Sequence, residues 1–248
     1  MKRRQWAPRA LVLVAMATIL LQRAGAEEAI QNVSYSSLLS LATADVDNIL
    51  TYGKSSLQTV YYRKAHTAEP DSAPVVIFAH GGCWLAEYDI SHSQGFSSAL
   101  ADSGIHVFNM EYRRIGNPGG GWPGSVSDVK AGIHSALSVI KEHALTGPVY
   151  LLGHSAGGHL VLLAAAELNT ELTAVVGLSA ITDIKQYAKG ESGCERAAGQ
   201  FLKSDSQKGR GIIAAANPVA KTFTMPVTLF TASKDTIVAH SQAQWDRA

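Results

Sequence analysis

The chain has 248 residues, 46% of them hydrophobic and 17% charged, with 22 glycines and a formal net charge of +1. That is ordinary globular composition, and the length suits one large α/β domain with a substantial core better than two small ones. No repeat or low-complexity block interrupts it, and a charge so near zero gives no electrostatic case for nucleic acid or an anionic membrane.

The first residues form a separate object. Lys2, Arg3, Arg4 and Arg9 precede an apolar run of 12 residues, Ala10 to Leu21, and then Ala24-Gly25-Ala26. Basic start, short apolar core and small-residue exit make up a secretory signal peptide, whereas a membrane-spanning helix needs about 20 apolar residues. The expectation is a signal over 1–26, export to the periplasm or beyond, and no stable membrane insertion. A mature chain starting at Glu27 loses five basic residues and no acid, so its formal charge falls from +1 to −4. The two cysteines, Cys83 and Cys194, have no metal-ligand spacing. Export permits a bond between them, but two cysteines do not specify geometry, and the expectation is two unpaired small core residues.

From there, β-branched runs alternate with helical patterns, which predicts a mostly parallel sheet flanked by helices. Leu57–Arg63 reads as an early strand. Pro74–Ala79 reads as a buried one running into His80-Gly81-Gly82-Cys83-Trp84. Ser93–Ser103 has helical spacing, His106–Arg113 is a strand, and Gly116–Gly124 is a loop. Ser127–His143 is a helix, Pro148–Leu152 the central strand, and Ala156–Leu168 a strongly apolar helix. Ala174–Leu178 and Val227–Thr231 supply two later strands, for about seven in all. Between them Thr182–Met225 is polar and strandless, as a cap over a pocket often is.

Two motifs carry chemistry. Gly153-His154-Ser155-Ala156-Gly157 fits Gly-x-Ser-x-Gly between a buried strand and an apolar helix. A serine on that strained turn is lifted from the sheet, and the helix N-terminus faces developing negative charge. A plain turn containing serine is the bland alternative; a second motif in place favours a nucleophile. Acyl transfer puts charge on a former carbonyl oxygen, and fixed backbone N–H donors stabilise it. Gly82 and Cys83, joined by Ala156, are the expected oxyanion donors. His80 reads as bracing the loop, and Trp84 as packing it.

His80-Gly81-Gly82-x-Trp84 together with Gly153-His154-Ser155-Ala156-Gly157-Gly158-His159 resembles the arylformamidase and feruloyl-esterase-like branch of the α/β-hydrolases. Glu111-Tyr112-Arg113-Arg114 and Gly119-Gly120-Gly121-Trp122-Pro123 add to the likeness, which covers most of Leu57–Gln244. The resemblance implies an α/β-hydrolase fold over 27–248, with a cap-like insertion at 182–225. It implies a small-molecule ester or amide as substrate and no metal or organic cofactor.

In this fold the acid and the histidine base follow the serine in that order. Asp235, in Ala232-Ser233-Lys234-Asp235-Thr236-Ile237-Val238 after the late strand, resembles the family's acid loop. Asp183 competes one strand earlier, and either Asp could instead simply begin a helix. Only His240 follows Asp235; it sits where a helix starts, which makes it a candidate base from an unusual position. His66, His80, His92, His106, His134, His143, His154 and His159 precede the acid, and of these His92, after the oxyanion loop, is a candidate to line the pocket. The expectation is a fragment or early stop that ends before the fold's last strand, leaving Val227–Thr231 as a bare apolar edge that native sheets avoid. The leading reading is an exported serine esterase. The alternatives are an aryl formamide hydrolase of the N-formylkynurenine type, or a hydrolase-fold binding protein with impaired catalysis.

Overall fold

Val75-Val76-Ile77-Phe78-Ala79 carries no polar side chain on either face, and such a strand is stable only where both faces are covered. In the computed structural model, which describes residues 34–168, 172–203 and 210–244, all five are buried at the sheet centre. The expected signal over 1–26 lies outside the described residues. The chain divides into two units, 1–37 and 38–248. In the first, Ser34 Oγ lies 2.9 and 2.7 Å from the Ser36 and Ser37 hydroxyls at the start of α1 (Tyr35–Leu39).

The second unit holds a seven-stranded sheet in the order β1-β2-β4-β3-β5-β6-β7. Its strands are β1 (Asn48–Thr51), β2 (Thr59–Arg63), β3 (Val75–Ala79), β4 (His106–Glu111), β5 (Val149–His154), β6 (Ala174–Leu178) and β7 (Val227–Phe230). The first two pairings are antiparallel and the rest parallel. β1 adds a strand that sequence reading does not pick out; its four residues leave three side chains exposed, so it has no core-facing pattern to detect. β7 is the last strand in this order, with Phe230 59% exposed.

Alternation along β3 sorts its side chains between two layers. Val75, Ile77 and Ala79 face the larger core, with α3 (Gly124–Glu142) and α4 (Ala156–Glu167). Val76 and Phe78 face α2 (Gln94–Asp102), against Phe96 and Leu100. Every residue of α4 from Ala156 to Ala165 is buried, so this helix is apolar all round rather than striped.

Register decides where chemistry gathers. Ala79 pairs with both Met110 and Gly153, and His154 pairs with Leu178. The residues that follow (His80, Glu111, Ser155 and Ser179) therefore sit together at the carboxyl edge, where open α/β sheets bind ligands.

Between β6 and β7 the described residues form helices only: α5 (Ile184–Tyr187), α6 (Gly193–Lys203), α7 (Arg210–Ala215) and a 3₁₀ turn at Pro218–Ala220. One expectation is corrected here. Cys83 and Cys194 are not unpaired core residues; they form a disulfide, Cα atoms 5.0 Å apart, across 111 positions. Separation along the chain hid the pairing, since only the packing of α6 against the loop after β3 brings the two together.

An ion pair with a buried carboxylate and a part-exposed guanidinium ties α3 to the sheet. Asp128, 2% exposed, takes Arg113 Nε and Nη2 at 2.8 and 2.7 Å, the Arg113 N–H at 3.0 Å and the Gln58 amide at 2.8 Å. Losing the carboxylate leaves a guanidinium that still reaches water, so the cost is that of the lost hydrogen bonds to a charged group and of the unpaired backbone and amide donors. Asp128→Ala is expected to cost roughly 3 kcal/mol of stability in urea unfolding, whereas an exposed control such as Lys141→Ala changes little.

Candidate active site

Ser155 occupies the turn between β5 and α4 with φ 52° and ψ −118°, left-handed backbone that a non-glycine residue rarely adopts. Its N–H donates to Leu178 O at 2.9 Å, and its own carbonyl accepts from the His159 N–H at 3.0 Å. The turn is therefore pinned to β6 on one side and continuous with the helix on the other. The helix starts so close to the sheet that a Cβ on Gly157 would lie 2.2 Å from both Ala79 O and His80 O. Only glycine fits there.

The loop after β3 comes against this turn. A Cβ on Gly81 would stand 3.2 Å from Ser155 Cβ and 2.7 Å from His154 Nδ1. Gly82, Cys83 and Trp84 follow with φ of 108°, 53° and 59°, three successive left-handed residues. Among the described residues no acceptor takes the Gly82 or Cys83 N–H, and Ala156 opens α4, where the first N–H groups have no partner within the helix.

Two buried networks hold the loop. His80 donates from Nδ1 to Gly81 O at 2.8 Å, and its Nε2 lies 3.2 Å from Glu111 Oε1. Glu111 also pairs with Arg114 and accepts the Ile90 N–H at 3.0 Å, and Tyr112 donates to His80 O at 2.7 Å. Burial pushes the Glu111 carboxyl up, but His80, Arg114 and the Ile90 N–H outweigh it and bring the pKa down to about 2. On the other side Trp84, fully buried, donates from Nε1 to His159 Nδ1 at 3.3 Å and packs against Phe201 of α6, ring centres 5.3 Å apart. His159 Nε2 donates to Ala216 O at 2.8 Å, so a neutral imidazole satisfies both neighbours, and burial lowers its pKa to about 4. His80 and Trp84 thus brace and pack the loop. The partnership of Glu111 with Arg114 was not assigned from sequence; the charged run Glu111–Arg114 at a strand end was its one visible signal.

The carboxylates separate clearly. Asp183 caps α5, accepting from the Gln186 N–H at 3.0 Å, the bland role foreseen for it. Asp235 sits in the loop after β7. Burial raises its pKa, but the Val238 and Ile237 N–H groups, both at 2.9 Å, the Ser179 hydroxyl and His154 together hold it below the ordinary value. Asp235 thus caps its own turn while its charge interacts with His154, and Asp183 caps α5.

Three histidines remain. His240, exposed, starts a 3₁₀ turn that buried Gln242 anchors to the Thr182 and Asp183 N–H groups, and its Nδ1 lies 3.3 Å from Thr231 Oγ1. His154 keeps part of its surface exposed, yet packing around the ring strips enough water to lower its pKa against the pull of Asp235. His92 lines a cavity of about 170 Å³ with Phe78, Gly81, Phe96, His154 and Leu178. Burial, and then His80, hold its pKa near 4. Among the described residues no imidazole hydrogen-bonds to the Ser155 hydroxyl, and no cluster of His, Cys, Asp or Glu has the makings of a metal site.

The BD-FAE family model matches residues 60–245. Kynurenine formamidase from Danio rerio is 32% identical over 123 residues, 49% of this chain and 38% of that protein. Esterase LipC from Mycobacterium tuberculosis is 34% identical over 116 residues, 46% of this chain and 28% of its own. The match thus spans well under half the length of these relatives. Among solved structures, esterase B from Lactobacillus rhamnosis superposes with a TM-score of 0.70 at 20% identity, covering 95% of this chain and 78% of that one. It has the α/β-hydrolase fold in common with this chain.

The depressed His159 pKa has a consequence for stability. The unfolded imidazole binds a proton near pH 6.5 and the folded one only near 4, so the unfolded state gains protons first as pH falls. Stability is expected to decline between pH 6.5 and 4, at up to about 1.4 kcal/mol per pH unit for this residue, and to level below that. His159→Gln should flatten the dependence of Tm on pH across that window, leaving the share owed to His92.

Proposed function

The chain belongs to the BD-FAE family, and from that premise we propose that it is a serine hydrolase cleaving small carboxylic esters through an acyl-enzyme on Ser155. One observation carries the reading: the hydroxyl-bearing residue is held left-handed at a strand-to-helix turn, with the Gly81 backbone packed against its Cβ and a helix N-terminus behind it.

In this reading Ser155 Oγ attacks the ester carbonyl carbon as its proton passes to a base. The carbonyl oxygen becomes an oxyanion facing the N–H groups of Gly82, Cys83 and Ala156. Collapse expels the alcohol, and water repeats the sequence to release the acid. Asp235, ionised at neutral pH, orients the base. His240 is the candidate for that base. Its ring bonds Thr231 here, so the role requires the loop shared with Asp235 to carry it to Ser155. The helical insertion at 182–225 acts as a cap, and the Cys83–Cys194 bond fits an exported protein in an oxidising compartment.

A second reading, hydrolysis of aryl formamides, is favoured by the likeness to kynurenine formamidase. It uses the same nucleophile and oxyanion donors, so turnover of an aryl acetate against an N-formyl aryl amine separates the two.

A fluorophosphonate is expected to label the protein at Ser155 and to leave Ser155→Ala unlabelled. Asp235→Asn should lower turnover by roughly 10⁴-fold, with Asp183→Asn close to the parent and His240→Ala as impaired as Asp235→Asn. No labelling of the intact protein overturns the reading in favour of a binding role. The reverse ranking of the two Asp variants moves the acid to Asp183.

A further inference from the structure

Cys83 is one of the proposed oxyanion donors and also one end of the disulfide. Its partner Cys194 lies in the first turn of α6, and Ala197, Ala198 and Phe201 follow at helical spacing, all three buried. That face of α6 therefore meets the loop after β3 twice: covalently at Cys83, and two turns on where Phe201 packs against Trp84 at 5.3 Å. The held segment is the left-handed run Gly82-Cys83-Trp84. Such backbone persists only where its surroundings over-determine it. Hydrogen bonds fix both neighbours of Cys83 through their carbonyls, Gly82 O accepting from the Leu85 N–H at 2.9 Å and Trp84 O from the Ile115 N–H at 2.8 Å. At Cys83 itself, the described attachment is the bond to Cys194.

We propose that the Cys83–Cys194 disulfide is a positioning element of the oxyanion hole, holding the Cys83 N–H where the reacting oxygen develops charge, so that reducing the bond slows the chemistry in a protein that stays folded. The proposal rests on the hydrolase reading above. Reduction needs an external dithiol: the two sulfurs each take one electron and one proton, and the dithiol closes to its own cyclic disulfide.

The test measures the rate of Ser155 labelling by a fluorophosphonate, whose phosphoryl oxygen enters the same hole. It compares the oxidised chain, the dithiothreitol-reduced chain and Cys194→Ser, each well below its melting temperature. Displacing one donor should slow labelling by about 10- to 100-fold, and reoxidation of the parent should restore the rate. With a turnover substrate, kcat should fall while KM holds. Amide exchange should rise over residues 82–86 with β3 still protected. Unchanged labelling and exchange on reduction overturn the proposal and leave the hydrolase reading standing. A reduced chain and a Cys194→Ser chain that both unfold at the assay temperature assign the bond to stability alone and also overturn it. An oxidised chain that never labels removes the hydrolase reading, and the proposal with it.

Discussion

The approach of α4 to the carboxyl end of β3 is the constraint on which the rest depends. A helix that begins one residue after a strand ends must pass within van der Waals contact of the neighbouring strand. Gly157 permits this, because any Cβ there would overlap the carbonyl oxygens of Ala79 and His80. Ser155 then has to turn through left-handed backbone, where it is buried beside the Gly81 backbone. Strain at the turn is supported by hydrogen bonds to Leu178 and His159 and by a helix buried on every face from Ala156 to Ala165.

Around that turn the protein buries charge to hold glycines. Glu111 and Arg114 lie almost wholly out of water, which is costly unless each is answered, and here the carboxylate meets Arg114, His80 and two backbone N–H groups. The reward is rigidity in a loop whose centre, Gly81 and Gly82, has no side chain to pack. Trp84 and His159 do the same work on the other flank with a neutral, fully satisfied pair. A charged brace and a neutral one thus converge on Gly81 to Trp84, and the disulfide adds a third attachment from the helical insertion.

This division separates the generic from the particular. Elbow, loop and braces are compatible with ester and formamide chemistry alike, since both pass through a tetrahedral oxyanion. Around them lie the cavity lined by Phe78, Phe96 and Leu178 and the helices of the insertion.

What the sequence determined by itself was everything governed by short range. Runs such as Val75–Ala79 and Ala174–Leu178 announced their strands within a residue or two, and the two glycine motifs announced where backbone must approach backbone. β1 escaped, because four mostly exposed residues carry no period. Tertiary structure alone decided what depends on distant parts meeting. It paired Cys83 with Cys194 across 111 positions, put Asp183 in a helix cap and set the charge of Asp235 against His154. It also turned Glu111 and Arg114 from a charged run into a buried brace. Spacing along a chain fixes which residues share a strand or a helical face, but the register between strands sets which loops share an edge, and only the folded sheet contains it.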